Sequence, residues 1–154
     1  MKTLLLGALL ITLASAQAAP PPGWTDDYAK AAEKAKAEKK NLLLDFTGSD
    51  WCGYCMALDK EVFSQAAFKT WAKKNVILVQ VDFPKKKPLS AKLKEQNDGL
   101  KAKYPGGGYP TIVITDPDGK VLTTKVGYKP GSGAKTYIEA LGTAANAPGA
   151  ESAK

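Results

Sequence analysis

The chain has 154 residues, which allows one domain, and a formal net charge of +7. All 22 basic residues are lysines, and arginine is the side chain that grips phosphate and guanine edges with two prongs, so specific nucleic-acid recognition is excluded as an expectation. Histidine is absent and there are two cysteines, too few ligands for a four-coordinate structural zinc site.

Met1-Lys2-Thr3 and the mostly apolar run Leu4 to Leu13 precede small residues at Ala14-Ser15-Ala16 and Ala16-Gln17-Ala18. This pattern predicts a signal peptide over residues 1–18, too short to span a membrane, so the protein is expected to be exported without stable membrane insertion. Losing Lys2 with it leaves 21 − 15 = +6. An extended lead-in over 19–25 follows, with Pro20-Pro21-Pro22-Gly23. From Asp26 a helix is predicted, with acids first, lysines last and alanine throughout. Leu42-Leu43-Leu44-Asp45-Phe46 reads as a buried strand and Thr47-Gly48-Ser49-Asp50 as a loop. Then come Trp51-Cys52-Gly53-Tyr54-Cys55 and a helical pattern through Met56, Leu58, Val62 and Phe63.

The cysteine pair thus sits where a strand hands over to a helix, with Cys52 at or near the helix N-terminus. A thiolate attacks disulfides, and an ordinary thiol with a pKa of about 8.5 is mostly protonated at neutral pH. Lowering that value to about 7 requires roughly 2 kcal/mol in favour of the anion. A helix end supplies about 0.3–1 kcal/mol, up to ~2 when partly buried, so amide hydrogen bonds are expected to help. An inert staple is the competing reading, but a loop of about four residues contributes only roughly 2 kcal/mol, against about 3 for fifteen. A metal pair is the third. In an oxidising compartment, a reversible pair implies an upstream redox partner.

Ala67, Phe68, Trp71 and Ala72 continue at helical spacing, and Val76 to Phe83 is a second strand, so the two strands with their helix make a parallel βαβ unit. Pro84-Lys85-Lys86-Lys87-Pro88 reads as a solvated loop. Leu89 to Tyr104 forms a lysine-rich helix interrupted in strength at Asn97-Asp98-Gly99. Thr111–Thr115 and Lys120–Val126 are strands around the turn Asp116-Pro117-Asp118-Gly119. Ser132 to Ala140 is the last helix, and residues 144–154 are expected to form a disordered tail.

This order resembles the thioredoxin-like fold across residues 26–143. The landmarks are Leu43-Leu44-Asp45-Phe46 before the Trp-Cys-x-x-Cys motif, the Val79-Gln80-Val81-Asp82 strand, and Tyr109-Pro110-Thr111. Small exported members with Gly-Ser-Asp before Trp-Cys and Asp-Phe-Pro after the second core strand are the most similar. The resemblance implies an α/β domain with a central mixed sheet of about four strands flanked by helices. It further implies that Cys52 is the nucleophile, Cys55 the resolving thiol, Pro110 a cis proline, and Asp45 the buried acid that assists proton transfer for Cys55. Trp51, Gly53, Tyr54, Tyr109 and Thr111 would form the substrate contact surface. Two departures stand out. Asp45 lies seven residues before Cys52, one more than is typical, and Leu78 stands where many members carry a lysine beside the buried acid.

The expected function is a monomeric, exported thiol–disulfide oxidoreductase, periplasmic or secreted, that exchanges its dithiol with protein thiols and disulfides without a cofactor or metal. Gly53-Tyr54 leaves the direction of electron flow open, because 30 mV corresponds to about 1.4 kcal/mol. A copper(I)-binding module using the two soft sulfurs, or an adaptor with an inert disulfide, are the alternatives.

Overall fold

A computed structural model describes residues 19–145. Its sheet is built on β2 (Asn41–Thr47) and β3 (Val76–Asp82), which pair in parallel from Asn41↔Val76 to Thr47↔Asp82. Every residue of β2 is buried. That explains its unbroken apolar run, since a central strand covered on both faces has no solvent side to alternate toward. β4 (Thr111–Thr115) runs antiparallel to β2, and β5 (Val121–Val126) antiparallel to β4.

Four strands were expected, and a fifth is present. Trp24–Thr25, inside the expected lead-in, forms β1 and pairs in parallel with β3 at Leu78 and Val79. Two residues are too few to show any hydrophobic period, so the element has no sequence signature. The strand order is β1-β3-β2-β4-β5.

The two faces of the sheet bury separate cores. Leu42, Leu44 and Phe46 of β2 pack with Ile77, Val79, Val81 and Val113 under α1 (Tyr28–Glu38) and α4 (Ala91–Lys103). Ala31 and Ala35 let the α1 backbone lie close to the strands. Leu43, Ile112 and Ile114 face the other way, against α2 (Gly53–Leu58), a following π-helical turn (Asp59–Phe63), α3 (Ala66–Asn75) and α5 (Gly133–Ala145). Because side chains alternate along a strand, Asp45 shares this second face with Leu43 and Thr47.

Local chemistry sets the ends of these elements. Asp27 caps α1, its carboxylate accepting from the Lys30 amide at 3.1 Å. Asn97, within α4, is buried, and its Nδ2 donates to the Asp82 carbonyl at 2.9 Å, fastening the helix to β3. In the β4–β5 turn the Asp116 carboxylate accepts from the amides of Asp118 and Lys120, both at 2.9 Å. Gly119 there takes a positive φ of 87° that favours glycine. α5 outlasts its expected end at Ala140 and takes in Ala144 and Ala145, assigned above to the tail; Asn41 Nδ2 donates to both of their carbonyls at 3.2 and 3.1 Å. The predicted signal peptide (1–18) and the remainder of the predicted tail (146–154) lie outside the described residues.

Candidate active site

Cys52 is the N-cap of α2, in extended conformation, and it is disulfide-bonded to Cys55 with a Cα–Cα distance of 5.2 Å. The Cys55 amide points back to Cys52 Sγ at 3.2 Å. This donor adds to the helix end in stabilising negative charge on the first sulfur. Both cysteines are buried overall, while Gly53 and Tyr54 beside them are exposed, Tyr54 by 59%. The sulfurs therefore lie at a rim, bordered by an aromatic ring that projects into solvent.

The loop before Cys52 is held by interactions that join the two tripeptides noted in the sequence. Ser49 donates to the Asp82 carboxylate twice, from its amide at 2.9 Å and from its hydroxyl at 2.5 Å. Asp50 accepts from the amides of Lys85 and Lys86 at 2.9 and 2.7 Å, and those hydrogen bonds, Lys85 first, hold its carboxyl below the usual carboxylate range. Trp51 Nε1 donates to the Phe83 carbonyl at 2.8 Å. A Cβ on Gly48 would fall 2.4 Å from the Trp51 indole, so only glycine leaves room for the ring there. Gly-Ser-Asp and Asp-Phe-Pro are thus two halves of one clamp that sets the Trp51 indole next to Cys52.

Trp51 meets Tyr109 edge to face, with ring centroids 5.6 Å apart, and Phe83 lies at the same distance from Tyr109 on a tilt. The peptide bond between Tyr109 and Pro110 is cis, as the resemblance implied. The Pro110 carbonyl accepts from the Gly127 amide at 2.7 Å. Thr111, expected among the substrate contacts, is buried instead: its hydroxyl turns inward and donates to the Gly108 carbonyl at 2.7 Å, so it shapes the glycine loop rather than the surface.

Beneath the disulfide, a cleft of about 180 Å³ is lined by Asp45, Cys55, Met56, Asp59 and Gln80, among others. Asp45 is buried on β2, and its Oδ1 has no hydrogen-bond partner among the described residues. Burial, with smaller contributions from Asp82 and Asp59, pushes its carboxyl well above the usual range. Leu78, at the position without the lysine, is buried in the core on the same face. The extra residue between Asp45 and Cys52 therefore leaves Asp45 in the strand and is taken up in the loop. Asp59, Phe83 and Asp82 were not singled out as site residues, because each arrives through contacts made across the fold.

A family model described as thioredoxin-like matches residues 23–117. The chain is 36% identical over 119 residues to the disulfide bond reductase DsbH of Chlamydia pneumoniae, covering 77% of this chain and 70% of that protein. It is 33% identical over 116 residues to the thioredoxin-related protein DsbJ of the same organism, covering 74% of this chain but only 33% of DsbJ. Among solved structures, a DsbH oxidoreductase superposes with a TM-score of 0.73 at 33% identity, covering 91% of this chain and 94% of that one. A thioredoxin from Thermus thermophilus, at 18% identity and a TM-score of 0.58 over 78% of this chain and 84% of its own, shares the fold. The chain belongs to the thioredoxin-like family, and it is a thiol–disulfide oxidoreductase.

Proposed function

We propose that the protein works after export as a monomeric reductant of protein disulfides, with Cys52 as the attacking sulfur. The Cys55 amide aimed at Cys52 Sγ carries this reading, since it favours charge on the first sulfur and not on the second. The direction is supported by the relative named a disulfide bond reductase, and export by the sequence of residues 1–18. A single chain supplies every residue used below.

In the reduced protein, the Cys52 thiolate attacks one sulfur of a substrate disulfide. The substrate S–S bond breaks, one substrate thiolate leaves and takes a proton, and a mixed disulfide joins Cys52 to the other sulfur. Cys55 then gives up its proton to Asp45, whose raised pKa suits it to accept a proton and hold it. The Cys55 thiolate attacks Cys52 Sγ, the mixed disulfide breaks, and the second substrate sulfur leaves as a thiolate that takes a proton from solvent, to which Asp45 in turn returns the proton it held. Two electrons have passed to the substrate, and the protein is left with the Cys52–Cys55 bond of the present structure. An upstream dithiol partner restores the reduced form. Trp51, Gly53, Tyr54 and Tyr109 receive the substrate chain beside the sulfurs, and Pro110 fixes the backbone of Tyr109 there.

Insulin reduction driven by dithiothreitol tests the activity. The wild type is expected to exceed Cys52→Ser at least tenfold, while Cys55→Ala accumulates mixed disulfides with substrate. A wild type no faster than Cys52→Ser would overturn the reading. Redox titration tests the direction. A potential nearer the thioredoxin value of about −270 mV than the oxidant value of about −120 mV is expected, and the reverse would make the protein an oxidant.

A further inference from the structure

The cations beside the disulfide are arranged in a way that reducing a disulfide does not itself require. Lys85 Nζ stands 4.2 Å from the centroid of the Trp51 ring. Lys101 Nζ lies over both Phe83 and Tyr109, at 5.1 and 4.9 Å, and donates to the Tyr109 hydroxyl at 2.7 Å. Three rings thus hold two ammonium groups on one flank of Cys52. Neither lysine has a carboxylate within salt-bridge reach among the described residues, although other lysines of the chain do. The acids of the same rim are already engaged, Asp50 by the amides of Lys85 and Lys86 and Asp82 by Ser49. An ammonium has three donors, and the Tyr109 hydroxyl takes one of those on Lys101. Next to it, a groove of about 320 Å³ runs between Lys101, Tyr104 and Tyr109 over the backbone of Gly106 and Gly108. Opposite charge is what this flank has room for and does not supply.

We propose that this flank selects substrates whose disulfide is bordered by aspartate or glutamate, with Lys85 and Lys101 as the residues that determine specificity. The acidic segment lies across the Trp51–Tyr109 rings, one carboxylate meeting Lys85 and the next entering the groove beside Lys101. This rests on the disulfide-reductase reading given above. A preference from two exposed charge pairs is modest, about fivefold at low salt, and it fades as the screening length shortens.

The test uses the reduced full chain and two disulfide-bonded peptides that differ only in carrying Asp and Glu, or Asn and Gln, next to the cysteines. The acidic peptide is expected to be reduced about five times faster at low ionic strength, and the ratio should approach one in about 0.5 M salt. Lys85→Gln with Lys101→Gln should bring the low-salt ratio close to one. Lys73→Gln with Lys120→Gln makes the same change in net charge at the far end of the sheet and should leave the ratio intact. Equal rates on the two peptides with the wild type would overturn the inference while leaving the reductase reading standing. So would a preference that survives in the Lys85/Lys101 variant or is lost equally in the remote one, since that points to the field of the whole molecule. Reduction of neither peptide beyond the Cys52→Ser rate would sink the reductase reading itself.

Discussion

Asp45 carries a cost that its position on β2 does not offset by any ion pair among the described residues. A lysine stands beside the buried acid in many relatives of this fold, but here the equivalent place is Leu78, packed in the core. A carboxyl whose folded pKa is raised contributes stability that is fully present below its unfolded value of about 3.9 and is lost as pH rises through the folded value. Asp45→Asn is therefore expected to be more stable than the wild type at pH 7, by about 1.4 kcal/mol for each pH unit by which burial raises the folded pKa, because the amide never has to ionise in the core. The difference should shrink toward zero near pH 3 to 4, where the native carboxyl is neutral in both states. Urea denaturation of the oxidised proteins across that range checks it, and a gap that does not depend on pH would contradict the assignment. The same substitution should slow release of the mixed disulfide without slowing its formation, because only the second step draws a proton from Cys55. The buried strand around Asp45 was readable from its apolar run, whereas its candidacy as a proton-transfer acid came only from the resemblance, since nothing local in such a run marks an acid as catalytic.

At the scale of elements, the clamp between the loop of residues 48–51 and the stretch from Asp82 to Lys86 decides how the aromatic rim is presented. Removing the Ser49 hydroxyl deletes a hydrogen bond to a carboxylate, an interaction worth about 1.5–3 kcal/mol. Ser49→Ala should lose about that much stability, and its Trp51 fluorescence should respond more to acrylamide, as the indole loosens from the Phe83 carbonyl. An unchanged quenching profile would mean that Gly48 and the ring contacts hold Trp51 unaided. Strands and helices with long periodic patterns, such as Leu42–Phe46, Val76–Phe83 and the alanine-rich α1, were legible because their own residues specify them. The clamp was not, because Ser49 and Asp82 are separated by 33 residues and neither has a local signal for the other. The last turn of α5 was missed for the same reason, since the side chain of Asn41 meets it from 103 and 104 residues away.

Across the whole molecule, the lysine-only cation set and the single cysteine pair narrowed the function before any geometry was considered, and the fold then gave those residues their places. The sheet puts the disulfide beyond the carboxyl end of β2, with the Asp116–Gly119 turn at the other end, so chemistry and hairpin are at opposite poles. Among the described residues no helix is long and apolar enough to cross a membrane. The central claim is that this arrangement presents the first sulfur of the pair as an anion while the second, behind it, stays protonated. It is tested most directly by reducing the protein and following iodoacetamide alkylation of each cysteine against pH. Cys52 is expected to be modified first, with a midpoint at least one unit below the ordinary thiol value of about 8.5, and Cys55 only slowly. A midpoint for Cys52 at or above that ordinary value, or modification of Cys55 ahead of it, would contradict the claim.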